Sequence, residues 1–422
     1  MKELFPKVTT EIGALKGVIV HRPETGISRI TPKKAKELLF DDIVFLPKMQ
    51  REHDVFTSIL NFFVGEDNVF SVQKLLRESL ESGIEPMGNF MNKVLDYEEV
   101  PRNFRPMLEN LEIDELAETM ISGYLKREKR YLFDPIPNLI FTRDIAVTIN
   151  DHVLITKAAK AARFRENLLS RYIFYAHPQL AHLNSKGKII NLNLLDQFPP
   201  SANGEGVSVE GGDVMILNSD YLLIGNSERT TEYSIKSLKK ELFDKGVVQN
   251  VVQIDIPFER SCMHIDTLFT QVNHHHFVGF EPIVKHGNRS NVTVHRISGD
   301  THKYNSVMDF LNAEISEEIE LISAGMGISP YQEREQWTDG CNLVAVKPGV
   351  AITYERNPYT EKSFMKFGYR VISANELIRE ITHNNLRPDE VINTIITLDS
   401  GELSRARGGS HCMTCPILRD SF

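Results

Sequence analysis

One pattern recurs along the chain and limits what it can fold into: a β-rich run, a short polar turn and a second β-rich run. It occurs as IAVTIN, Asp151-His152, VLIT; as DVMILN, Ser219-Asp220, YLLIG; as HIDTLFTQV, a His-rich turn, FVGF; and as NLVAV, KPG, VAITYE. Apolar β-branched residues on either side of turn chemistry read as hairpins. Helical stretches and further strands follow, as in SERTTEYSIKSLKKELFDKG and then VVQIDI, and LKGVIVHRP supplies a strand of a related unit. A hairpin-plus-helix unit repeated at irregular spacing predicts a radial or barrel-like α/β assembly, with a number of units that periodicity does not fix.

One region breaks the pattern. Residues from about 70 to 128 carry VQKLLRESLES, MNKVLDY and DELAETMISGYL, with apolar residues at helical spacing. They predict a helical insertion of surface helices within a single domain spanning 1–422, because no low-complexity segment or Pro/Gly/Ser linker divides the chain. The composition, 41% hydrophobic and 25% charged, is that of a globular protein. A formal net charge of -9, with Lys and Arg spread along the sequence, argues against nucleic acid as a partner. No apolar run approaches the roughly 20 residues needed to span a bilayer. The first residues, MKELFPKVTTEIG, lack the apolar core of a signal peptide, so the expected location is the cytosol, away from membranes.

Cys262, Cys341, Cys412 and Cys415 are the four cysteines. Four in 422 residues make no disulfide framework, and the cytosol would keep them reduced. Each is then a buried small residue, a metal ligand or a reactive thiol. Cys412 follows an Arg407-Gly408-Gly409 run in GELSRARGGSHCMTCPILRD, where Arg405, Arg407 and His411 would supply an electropositive setting for a nucleophilic thiol. Cys412 and Cys415 also form a CxxC pair. A structural zinc site needs a second such pair or paired histidines, and a redox motif belongs near the start of a βαβ unit; neither context is present.

Acid and imidazole groups cluster in two further segments. Glu210 and Asp213 flank a Gly-Gly step in SVEGGDVMIL, just before a β-rich run. His264 and Asp266 alternate with apolar residues in CMHIDTLFT, and on a strand both would face one side. Asp144 in NLIFTRDIAV precedes another apolar strand. Ionised carboxylates beside core strands are costly unless paired. Carboxylates, a histidine and a cysteine at strand edges fit a cation-binding pocket with a nucleophile.

Together these segments resemble arginine deiminases of the guanidino-group-modifying (pentein) superfamily. The likeness runs through EIGALKGVIVHRP, ELLFDDI, NLIFTRD, VEGGD, IGNSERT, MHIDT, WTDGCN, YERN and RGGSHCMTCP, in the family's order. It implies a five-bladed α/β propeller with a helical insertion. It also implies hydrolysis of L-arginine to citrulline and ammonia without metal or organic cofactor, in a homo-oligomer. By matching residues, Cys412 would be the nucleophile and His264 the proton-transfer residue. Glu210, Asp144 and Asp266 would hold the guanidinium and support the histidine. Arg163 in ARFRE and Arg229 in SERT would bind the α-carboxylate, with Asn138, Phe141, Asp213, Arg407 and Gly408 at other substrate contacts.

Two places depart from the family pattern. Ala406 stands where a glycine is usual, and its methyl would restrict the loop that carries Cys412. The stretch ANELIREITHNNLRPDEVINTIITLDS, residues 374–400, looks long; it predicts a helix, a turn at Arg387-Pro388 and a strand, as an extension of the last unit. Amidinotransfer to an amine, and deimination of agmatine or methylated arginines, are the alternative chemistries. A guanidine-binding protein without catalysis is the alternative class, though binding alone would not need a nucleophile.

Overall fold

A computed structural model describes residues 2–40 and 42–422 of the chain; Asp41, within the ELLFDDI motif, lies outside them. Among the described residues, five sheets of three or more strands and one two-stranded ribbon form. The five share one construction: an antiparallel pair followed by a third strand parallel to the second.

In sequence order the first such sheet pairs Ala146–Ile149 with His152–Ile155, which Ile189–Asn191 joins in parallel. Next, Val214–Ile216 pairs Tyr221–Asn226, joined in parallel by Asn250–Asp255. Phe269–Gln271 and His276–Gly279 are joined by Glu320–Ser323. Val344–Lys347 and Val350–Tyr354 are joined by Thr394–Leu398. The last sheet unites the chain ends: Cys415–Arg419 lies antiparallel to Leu15–Val20, which Val69–Ser71 joins in parallel. All four hairpins expected from the sequence are present, and LKGVIV is a strand of the closing sheet.

The turn chemistry explains the hairpins. Asn150 takes a left-handed φ of 51° between its two strands. Asn218 Oδ1 accepts from the Asp220 and Tyr221 N–H groups, at 2.9 and 3.0 Å. Asn273 Oδ1 does the same for His275 and His276, at 2.8 and 2.7 Å. Such side chains replace the missing strand partners at the bend. Strands such as Val350–Tyr354 are buried along their whole length, so their sequence reads as a continuous apolar run. Amphipathic helices provide the cover. In Glu232–Asp244, Ile235, Leu238 and Leu242 face inward, and the Thr231 hydroxyl caps the Ser234 N–H at 3.3 Å.

The stretch expected to be helical holds helices Val72–Ser82, Met87–Tyr97, Arg105–Glu109 and Ile113–Ser122. Their apolar faces share one core with helix Phe164–Ala176 and the first sheet. Residues 374–400 form helix Ala374–Asn384 and strand Thr394–Leu398, around a bend at 387–390. The helix, bend and strand expected there are present, and Thr394–Leu398 lies inside its sheet, between Val350–Tyr354 and the edge strand Arg370–Ser373. No helix of the described residues is long and apolar enough to cross a membrane.

Candidate active site

Four of the five sheets deliver ionisable or nucleophilic groups from the same place, the segment just before their first strand. Asp144 ends the turn Thr142–Asp144; Glu210 precedes the turn Gly211–Asp213; His264 and Asp266 belong to the turn ahead of Phe269–Gln271; Cys412 precedes Cys415–Arg419. The remaining sheet contributes Asn342, two residues before Val344–Lys347. Glycines make the close approach possible. A Cβ at Gly211 would lie 1.9 Å from the Arg143 carbonyl oxygen, and one at Gly212 would lie 2.3 Å from His264 Nδ1.

The expectation that His264 and Asp266 share a strand face is corrected. The chain turns over Ile265–Thr267, where the Thr267 hydroxyl donates to the His264 carbonyl at 2.6 Å. The imidazole then meets Glu210, while the Asp266 carboxylate points to Cys412 and His411.

A cavity of about 20 Å³ lies at the convergence, walled by Asp144, Glu210, His264, Cys412, Asn138 and Phe141 with Arg163, Arg229 and Arg407. Three other site residues stand behind this wall. Asp266 Oδ2 lies 3.5 Å from Cys412 Sγ and 2.9 Å from His411 Nδ1. Asp213 accepts from the Ser227 hydroxyl at 2.6 Å and from the Ile265 N–H at 3.1 Å, so it braces the His264 turn rather than facing the cavity. Gly408 packs against the Phe141 ring and its carbonyl accepts from the Tyr354 hydroxyl at 2.7 Å.

Buried carboxylates and buried cations face one another across the site. Glu210 Oε2 is 2.9 Å from His264 Nε2, and its other oxygen accepts from the Ala159 N–H at 3.0 Å. Burial alone would push the Glu210 carboxyl up, but the His264 hydrogen bond and the charges of Arg229 and Arg163 hold it well below the carboxylate range. For His264, burial works against the charged form. The surrounding carboxylates, Asp213 foremost, outweigh it and push the imidazole up to about 9, so it is protonated at neutral pH.

Carboxylates, not the expected basic flank, dominate the field at the Cys412 thiol. Burial pushes the thiol well above its ordinary value, and Asp266, Asp144 and Asp339 add to the shift, against one hydrogen bond from Asn342 Nδ2 at 3.2 Å. Arg405 instead pairs with Asp42 at the surface, and the Arg407 guanidinium lies over the Trp337 ring at 3.3 Å. Cys415 also diverges from its neighbour: its sulfur donates to the Ala146 carbonyl at 3.1 Å, and burial pushes it up to about 12. All four cysteines are free. Ala406 takes an ordinary backbone conformation and is buried; Arg407 carries the left-handed φ of 61°, so the methyl imposes no strain there.

Both expected carboxylate-binding arginines are turned toward acids. Arg163 donates to Asp144 Oδ2 at 2.5 Å and to Glu166 Oε2 at 2.8 Å, and Arg229 Nη1 lies 3.5 Å from Glu210 Oε1. Ligand atoms of Asp144, Glu210 and His264 fall within 4.8 Å of one another, close enough to surround an ion. Guanidinium groups of Arg163 and Arg229 already pair with the two carboxylates. The donor set therefore suits a flat cation bearing N–H groups.

Residues 36–419 match the family model described as arginine deiminase. Similar relatives include the arginine deiminase of Listeria monocytogenes serotype 4b, 32% identical over 440 aligned positions with 98% of each chain covered. That of Bacillus cytotoxicus is 34% identical over 443 positions, again covering 98% of each. Among solved structures, SxtG, an amidinotransferase from Microseira wollei, superposes with a TM-score of 0.53 at 12% identity, over 99% of this chain and 98% of that one. A mutant of Pseudomonas aeruginosa DDAH complexed with citrulline gives 0.50 at 13%, over 95% and 99%. At such identities these two show a shared α/β fold, that of the pentein enzymes.

Proposed function

The chain belongs to the arginine deiminase family, hydrolases of an amidine C–N bond, and from that premise we propose that it converts free L-arginine to L-citrulline and ammonia through a covalent intermediate on Cys412. The observation that carries the reading is one buried cavity in which a thiol, two carboxylates and a protonated imidazole meet. The five sheets are read as five blades of an α/β propeller forming a single catalytic unit, with the helices between 72 and 122 as an insertion. Cytosolic homo-oligomers are expected.

A guanidinium carbon is a poor electrophile because resonance spreads its charge. Asp144 and Glu210 hold its N–H groups and fix its plane against the sulfur. The same cation reverses the field that keeps the Cys412 thiol protonated, so substrate binding favours the thiolate. Asp266 Oδ2, 3.5 Å from the sulfur, lies in reach of the released proton. The thiolate forms a C–S bond to the guanidinium carbon. His264 gives its proton to the departing amine, the C–N bond breaks and ammonia leaves a thiouronium on Cys412. The now neutral His264 takes a proton from water, whose oxygen adds to the same carbon. The C–S bond then breaks, releasing citrulline.

The substrate-free cavity holds no more than one or two water-sized spheres, so arginine enters only when its walls move. The paired arginines suggest an exchange. The substrate guanidinium takes Asp144 and Glu210, and the displaced Arg163 and Arg229 take the α-carboxylate. No charge is left bare. Agmatine lacks that carboxylate and would leave Arg229 without its acid partner and Arg163 with Glu166 alone, at a cost of about 3–5 kcal/mol for a broken buried pair.

The test is product analysis with purified protein and L-arginine, with and without added glycine. Equimolar citrulline and ammonia, unaffected by glycine, is the expected result. Ornithine with a new guanidino compound would mean amidinotransfer instead.

A further inference from the structure

The loop that ends in Cys412 is fastened at two ends. Near the cysteine, Asn342 Oδ1 accepts from the Cys412 N–H at 3.3 Å and the Ser410 hydroxyl donates to the Ile352 carbonyl at 2.5 Å. The other end starts with the short turn Leu403–Ala406, where the Ser404 N–H bonds back to the Ser400 carbonyl at 3.1 Å while the Glu402 and Leu403 N–H groups turn outside their own segment. Their partner is Glu52, some 350 residues earlier on helix Leu46–Val64. Its carboxylate accepts from the Glu402 N–H at 2.9 and 3.1 Å and from the Leu403 N–H at 2.8 Å. Two contacts return: the Phe45 N–H donates to Glu402 Oε2 at 2.7 Å, and Arg405 donates to Asp42 Oδ2 at 2.8 and 3.0 Å.

Glu52 is 4% exposed, and among the described residues it pairs with Lys48 at 3.5 Å. An acid this buried is costly where its hydrogen bonds do not repay the lost water, and a same-sized apolar residue would pack the helix as well. What the carboxylate adds is three bonds to the backbone of one loop. That loop then places Arg407, whose side chain walls the cavity, and Cys412.

We propose that Glu52 is a positioning residue for the catalytic loop, holding its first turn so that Arg407 and Cys412 stand where the chemistry needs them. The proposal concerns the same site as the functional reading above but rests on contacts that reading does not use.

The experiment uses the full chain as wild type, Glu52→Gln and Glu52→Asp. It measures citrulline formation, the rate of Cys412 alkylation by iodoacetamide and amide hydrogen exchange. Glu52→Gln removes the charge and replaces one of the two acceptor oxygens with an N–H donor facing the Glu402 N–H. The expected result is an unchanged far-UV spectrum, kcat lowered about tenfold or more, a several-fold change in alkylation rate, and faster exchange confined to residues 402–412. The Asp variant should fall between the two. A folded Gln variant with wild-type kcat, KM and alkylation rate would overturn the proposal. Should neither variant fold, exchange in the wild type decides: protection of the Glu402 and Leu403 amides by about 100-fold or more supports the latch, and exchange at the rate of an open loop refutes it. A wild type that alkylates at Cys412 but makes no citrulline would count against the functional reading and leave this one standing.

Discussion

Two hollows meet at Arg260 and Arg407. The outer cleft has a volume of about 1260 Å³ and is walled by Trp337, the stacked Tyr331 and Tyr359, and several arginines. The inner cavity measures about 20 Å³. The cleft is by far the roomier of the two. The chemistry points the other way, because the nucleophile, the acid and both carboxylates open on the inner cavity. Ion pairs fill the space a substrate would take, so a site for a charged ligand is small when empty. We read the cleft, which shares Arg260 and Arg407 with the cavity, as the approach to it.

The steepest test of that contrast uses two cysteines of one segment. Cys412→Ala should lower turnover by about 10⁴-fold or more, as loss of a covalent nucleophile does, while arginine still binds. Cys415→Ala, behind the first sheet, should leave kcat within about threefold. Equal effects of the two variants in steady-state assays would erase the distinction between wall and core.

Next comes charge exchange at the inner cavity. Arg163→Ala should cut kcat/KM for arginine by about 10²–10³-fold, the effect of breaking a buried pair. It should also narrow the preference for arginine over agmatine. A variant that loses both substrates equally would contradict the exchange.

A third test reads His264 directly. Its folded value is raised from 6.5 to about 9, so it stabilises the fold fully below 6.5 and loses that contribution as pH rises through 9. The acid needed for ammonia departure is lost over the same rise. Histidine NMR should show a midpoint near 9 that drops in Glu210→Gln; a wild-type midpoint at or below 6.5 would contradict the account.

The smallest effect belongs to the cleft. Trp337→Ala removes the ring beneath Arg407, a contact worth about 0.5–2 kcal/mol. A rise in KM of about 2–30-fold, with kcat nearly kept, should follow. A collapse in kcat would move the catalytic boundary outward.

The hairpins were legible because each is a local event: two apolar runs joined by Asn or Gly chemistry. The pairing of the parallel third strands was not, even where a strand was expected, as in VVQIDI, since each returns through a helix and nothing in its own residues names its neighbour. Thr394–Leu398 is an example: a strand was expected there, but not that it would lie between Val350–Tyr354 and Arg370–Ser373. In the site, acids next to apolar strands stood out as costly features that needed partners. Asn342, which holds the Cys412 sulfur and N–H, was not singled out within WTDGCN. Its place just before a first strand, the same as that of Asp144, was the available signal. Asp339, which adds to the field at Cys412, and Glu166, which holds Arg163, were missed as well. Glu52 carried no signal at all, because its partners are backbone groups at the far end of the chain.

The most direct measurement is the mass of the intact chain quenched during turnover of L-arginine. A transient adduct should appear that maps to Cys412, decays as citrulline forms and is absent in Cys412→Ala. Citrulline formed at full rate with no adduct, or by the Cys412→Ala chain, would contradict covalent catalysis in the inner cavity.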